Sequence, residues 1–331
     1  MKKSKSKINI GLQILRFLLC FWIVINHLTK KLIARLFHVP SFALLAFYFY
    51  FPLLEKRDVS KIIIRFQRLL IPYVFYPILI FILNNIPISS LQLKYFNYIL
   101  PVKYLYLQLL IASTYYQIFW FQFNLIFLSL AFAIISFIFK KNYLEIFQFF
   151  GVLSLYLNIS KKWYNIFIYT PKDIRENIGS LLEIMPFASI GCILGSINLL
   201  QKLNKIRLSY RLSLLFLIFL FFKYDIFINL TGFRYPNIFL NILATITLFL
   251  FFATLQLDKP KIIKEIILLI TQYTGGIYYM HIMIRNYLSK NLIFVKEKTY
   301  FTAVFIYFVC YCICFIGHKI FKNNNLKYLF I

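Results

Sequence analysis

Apolar residues run along this chain in long blocks separated by short basic or polar connections, without the two-residue alternation of half-buried strands. A helix needs about 20 residues to cross the hydrocarbon of a bilayer. Blocks near that size lie at 10–27, 39–54, 69–87, 116–139, 144–159, 178–200, 208–223, 237–256, 266–284 and 300–318. The pattern predicts an all-α, polytopic integral membrane protein of about ten transmembrane helices. The connections left over are short, so the expectation is a single transmembrane domain over 1–331 with no appended soluble domain, in which the bundle itself performs any chemistry. The stretch 89–116 is long for a connection and is a place for a short interfacial or re-entrant helix, which would change the count by one. The basic MKKSKSK start precedes an apolar run with Arg16 in its body and no small-residue cleavage site, which predicts a retained first helix rather than a signal peptide.

Composition supports the membrane reading: 61% of residues are hydrophobic and 14% charged, against about 45–50% apolar in soluble domains. Lys and Arg total 37 against 10 Asp and Glu, a net charge of +27. The basic residues are spread over almost every loop, so the partners expected are membrane lipids and anionic substrates, not nucleic acid. With the N- and C-termini placed in the cytoplasm, 21 of the 37 basic residues fall on the inside, the sign required by the positive-inside rule. Phe, Ile, Lys, Asn and Tyr share AT-rich codons, so the 21% aromatic content reflects coding bias rather than a binding platform. All five cysteines fall within blocks, and Cys310, Cys312 and Cys314 lack zinc-ligand spacing; neither a disulfide nor a metal is expected.

Against that background a few polar groups stand out. GLQILRFLLCFWIVINH puts Arg16 and His27 in one span, where ionisable groups are costly and are retained where they face a bundle interior or a watered cavity. Eleven residues make about three turns, so both project from one face, roughly 16 Å apart along the axis. An arginine that snorkels to lipid phosphates and a histidine at the interface fit the same positions. Arg65 and Arg68, at i and i+3 ahead of Pro72, present paired guanidinium forks suited to phosphate oxygens, or form an ordinary basic loop. Glu183 is the acidic residue placed inside a span, where pairing with a base or a neighbouring helix is expected; Gly191 and Gly195 form a GxxxG helix-packing signal. His38 stands at the entrance of the second block, and His281 follows the Gly275-Gly276 pair.

Three segments together resemble the acyltransferase-3 family of bacterial membrane O-acyltransferases: Arg16 followed by ten residues and then His27, Arg65 and Arg68 running into RLLIPY, and TGGIYYMH near the end. Where the family's second helix usually ends in Ser-Gly, this chain has Ala46-Phe47. The resemblance implies transfer of an acyl group, usually acetyl, from acyl-CoA to a hydroxyl of a surface polysaccharide or lipid-linked saccharide at the bacterial inner membrane. It implies His27 and Arg16 as catalytic residues, Arg65 and Arg68 near the CoA phosphates, acetyl-CoA as co-substrate, and no permanently bound cofactor. A neutral imidazole suits the removal of a hydroxyl proton or a covalent relay. A transporter or flippase of a lipid-linked sugar, with the same charges lining a path and no bond made, is the alternative.

Overall fold

The computed structural model describes residues 9–29, 38–83, 119–160, 172–197, 208–231, 238–255, 261–289, 292–297 and 299–331. All of the stretch 89–116 and much of the polar connection 161–177 lie outside them. Among the described residues the regular elements are all helices: α1 (Ile10–Thr29), α2 (His38–Lys56), α3 (Val59–Leu83), α4 (Phe119–Ile138), α5 (Tyr143–Ser160), α6 (Lys172–Ser196), α7 (Leu208–Thr231), α8 (Ile238–Thr254), α9 (Lys261–Thr271), α10 (Thr274–Leu288), α11 (Ile293–Lys296) and α12 (Tyr300–Ile320), then a 3₁₀ turn (Asn325–Leu329). Among the described residues, five stretches are long and apolar enough to cross a membrane: Ile10–Thr29, Trp120–Ile138, Tyr143–Ser160, Ile178–Ser196 and Tyr300–Ile320. The chain is a multi-pass membrane protein.

Two boundaries differ from the apolar pattern. Helix α3 begins ten residues before the block at 69, because Asp58 caps it: the Asp58 carboxylate accepts from the Lys61 N–H (3.2 Å) and the Ser60 hydroxyl (2.7 Å). The bond from the Lys61 ammonium, then those from the Ser60 hydroxyl and the Lys61 N–H, hold that carboxyl at about 2. Arg65 and Arg68 therefore sit inside the helix, which passes through Pro72 without ending. The second difference is that the block 266–284 is not one helix. It is broken between Thr271 and Thr274 into α9 and α10.

Contacts between named residues fix the helix directions. Tyr50 donates to Ser129 O (3.2 Å) and Arg57 to Ser136 O (3.0 Å), each pair 79 residues apart, so α2 and α4 run parallel. Gly191 meets α2 at Leu44 and Tyr48, and Gly195 meets it at Phe51, so α6 also runs parallel to α2. The GxxxG reading is thereby given a partner: these glycines seat α6 directly on the α2 backbone. Asn158 donates to Leu182 O (2.7 Å) while Gly151 lies under Ser189, which sets α5 antiparallel to α6.

Two apolar clusters result. One gathers Phe47, Tyr50, Phe51, Phe132, Phe147 and Phe187 around α2, α4, α5 and α6. The other gathers Cys20, Val24, Ile277, Met280, Ile306 and Cys310 around α1, α10 and α12. Phe42 and Tyr278 pack against both, and both line a cavity at the seam.

Candidate active site

A break in a helix at membrane depth leaves backbone groups that must be satisfied by protein or by a watered cavity. Here the break between α9 and α10 is held from α1. The Arg16 guanidinium donates to Thr271 O, the last carbonyl of α9, which the Thr274 hydroxyl also reaches (3.1 Å). The Cys20 thiol donates to Thr274 O (3.2 Å). A cation at a helix C-terminus is favoured by the aligned peptide dipoles as well as by the open carbonyls. The partners are 254 or 255 residues apart at each rung, so α1 runs parallel to α9 and α10 in fixed register.

Beside the break lies a cavity of about 230 Å³ lined by Arg16 and Arg68, by Gln272, Thr274 and Gly275 of the break, and by aromatic residues including Phe42 and Tyr278. Arg16 Nε is buried without a hydrogen-bond partner among the described residues. Gly275 belongs to the first turn of α10, where Ile331 O packs close against it. Arginine side chains on two helices and a helix N-terminus therefore border one space, a setting for a negatively charged ligand.

The register carries His27 of α1 to His281 of α10. Their ring centroids lie 5.4 Å apart, with 39° between the planes. His281 is fully buried, and its Nδ1 lies 2.7 Å from Tyr278 O and 3.3 Å from Ile277 O. Carbonyl oxygens only accept, so Nδ1 bears the hydrogen and a neutral ring keeps its lone pair on Nε2. That Nε2 has no hydrogen-bond partner among the described residues. Tyr278 joins the two regions: its side chain lines the cavity, and its carbonyl fixes His281.

A family model described as an acyltransferase domain (Acyl_transf_3) matches residues 9–319, nearly the whole chain. The chain belongs to the acyltransferase-3 family. No curated protein matches it, and no solved structure does. The matched span takes in α1, the α9–α10 break and the histidine pair, so these elements all lie within the acyltransferase domain.

Of the residues singled out in the acyltransferase sequence, Arg16 and Arg68 share the cavity, and His27 lies further along the same helix. Arg65 is turned elsewhere. Its guanidinium stacks over Tyr50 of α2, 4.2 Å from the ring centroid, and its Nε and Nη2 reach the Ser129 hydroxyl at 3.4 Å. Phe47, part of the departure from Ser-Gly, supports the same guanidinium at 5.8 Å and packs on Phe132. Glu183 is exposed and forms no ion pair with another described residue. His38 opens α2 and is half-buried. Sequence reasoning gave no role to His281, and none to Tyr278; the histidine stood in a segment already marked by its glycines, whereas nothing in the local pattern distinguishes Tyr278 from its aromatic neighbours.

Proposed function

We propose that this acyltransferase moves an acyl group, acetyl in the first instance, from acyl-CoA to a hydroxyl of a surface polysaccharide or lipid-linked saccharide. The setting is a bacterial inner membrane, crossed about ten times, with both termini in the cytoplasm. No resident cofactor is required; acetyl-CoA is a co-substrate.

The observation that carries the reading is the pairing of His27 with His281. His27 removes the proton from the acceptor hydroxyl as its oxygen attacks the thioester carbonyl carbon. The carbon–sulfur bond then breaks, and the imidazolium returns the proton to the leaving thiolate. His281, its Nδ1 proton committed to a carbonyl, turns an accepting nitrogen into the pair and steadies the His27 ring in the protonated state. Donor phosphates sit by Arg16 and Arg68, in the cavity. The roughly 16 Å from Arg16 to His27 along α1 suits a ligand whose phosphates and thioester are separated by an extended arm.

The test is mass spectrometry of surface and lipid-linked saccharides from a deletion strain complemented with wild type or with His27→Ala. An ester-linked acyl mass lost in the deletion and restored only by wild type is expected. Unchanged acyl content with saccharide accumulating inside the cell would instead indicate transport without bond formation.

A further inference from the structure

The family match ends at 319, but the chain beyond it returns to the cavity. After α12, Asn324 accepts from the Leu326 N–H (3.1 Å) and opens the 3₁₀ turn. The Tyr76 hydroxyl of α3 donates to Leu329 O (2.7 Å), fixing the turn against the helix that carries Arg68. Phe330 stacks on Phe321, with ring centroids 5.8 Å apart, and covers Gly317 and Gly276. Ile331 lines the cavity with Arg16 and Arg68.

Tyr328 is buried in this turn, and two cations use its ring. Arg68 Cζ lies 5.6 Å from the ring centroid and Lys327 Nζ 5.3 Å. A ring quadrupole attracts each cation, yet two like charges sharing one ring repel. No ion pair joins Arg68 or Lys327 to an Asp or Glu side chain among the described residues. Arg16, which lines the same cavity as Arg68, adds a third positive charge.

We propose that Lys327 is a further binding residue of the acyl-donor site, held with Arg68 on the Tyr328 ring so that the two cations grip phosphate of the donor together. The proposal rests on the acyl-CoA reading above and extends it to a segment outside the family match. Arg68 presents a planar fork and Lys327 a point charge. An oxyanion between them satisfies both and removes the repulsion that the empty arrangement carries. Tyr328 is a positioning residue. It sets the direction of both side chains and does not itself touch the ligand.

The experiment is direct binding of CoA to the purified full-length protein in nanodiscs, by calorimetry, with Lys327→Met, Lys327→Arg, Tyr328→Phe and Arg68→Met. Methionine keeps the apolar stem over the ring, so thermal unfolding near that of wild type is expected for Lys327→Met. Its CoA affinity is expected to fall about tenfold or more, while Lys327→Arg and Tyr328→Phe stay within about threefold of wild type, since each keeps the charge or the ring. Wild-type affinity in Lys327→Met alongside a loss in Arg68→Met would overturn the proposal and leave the acyl-CoA reading standing. If wild type binds no CoA, and Lys327 instead governs retention on phosphatidylglycerol vesicles, the phosphate is a lipid's; both the proposal and the donor reading then fall.

Discussion

The imidazoles of His27 and His281 face each other across the α1–α10 contact, 5.4 Å apart between ring centroids. The register that places them is held at the other end by Arg16 on Thr271 O, so the histidine pair and the break in the helix are one construction. Replacing His281 by Asn keeps a side chain able to donate toward Tyr278 O but removes the aromatic lone pair. Transfer is expected to fall about 10–100-fold, against about 10²–10⁴-fold for His27→Ala, with little change in donor affinity. Single-turnover rates and CoA binding measured together check this; an equal loss of binding would make His281 structural.

Arg16 has two tasks, bonding the α9 carbonyl and presenting charge to the cavity. Lysine keeps the charge but cannot span both with a planar fork. Arg16→Lys is expected to weaken CoA binding by about 5–20-fold, while Arg16→Met also leaves Thr271 O with the Thr274 hydroxyl alone and lowers thermal stability by about 1–3 kcal/mol. Calorimetric binding and thermal unfolding in detergent separate the two tasks. Equal stability of the Met variant would mean that the carbonyl is satisfied without Arg16.

Much of this was legible in the sequence, and the limits are physical. Long apolar blocks mark helices because a bilayer permits little else, and Arg16 was conspicuous because charge there is costly. The break at Thr271–Thr274 was hidden because Thr, Gln and Tyr do not interrupt an apolar average, and only the Gly275-Gly276 pair hinted at it. The i, i+3 spacing correctly put Arg65 and Arg68 near one another on α3, but long side chains from one face can diverge: Tyr50 draws one and Tyr328 the other. Lys327 and Tyr328 carry no local signal in the sequence, since their significance depends on a chain reversal that no local pattern encodes.

That divergence gives Arg65 and Arg68 different phenotypes. Arg65 joins α3 to α2 and α4 through Tyr50 and Ser129, so Arg65→Met is expected to cost about 1–2 kcal/mol of stability and to leave the CoA affinity of the folded fraction within about threefold. Arg68→Met is expected to do the reverse, with affinity down about tenfold and unfolding unchanged. Parallel binding and thermal scans decide it, and a large affinity loss in a fully folded Arg65→Met protein would return Arg65 to the donor site.

The turn between α2 and α3 sets two opposing effects against each other at Arg57. Its φ of 48° is left-handed, and Arg57 N–H to Leu54 O (3.1 Å) with Asp58 N–H to Leu53 O (3.1 Å) closes the helix end in the form that usually carries glycine. Glycine would relieve about 1–2 kcal/mol of backbone strain. Against that, the Arg57 guanidinium donates to Ser136 O (3.0 Å), in the last turn of α4, and to Lys140 O (2.6 Å), in the turn that follows it. The bond to Ser136 O is partly buried and is worth about 1.5–3 kcal/mol; the exposed bond adds less. Glycine also widens the unfolded ensemble, by about 0.4–1 kcal/mol. The bonds therefore win narrowly, and Arg57→Gly is expected to be about 1 kcal/mol less stable than wild type. Arg57→Ala loses the bonds and keeps the strain, so it should be the least stable of the three. Thermal unfolding of the series gives the order directly, and a glycine variant more stable than wild type would mean that strain outweighs the guanidinium bonds.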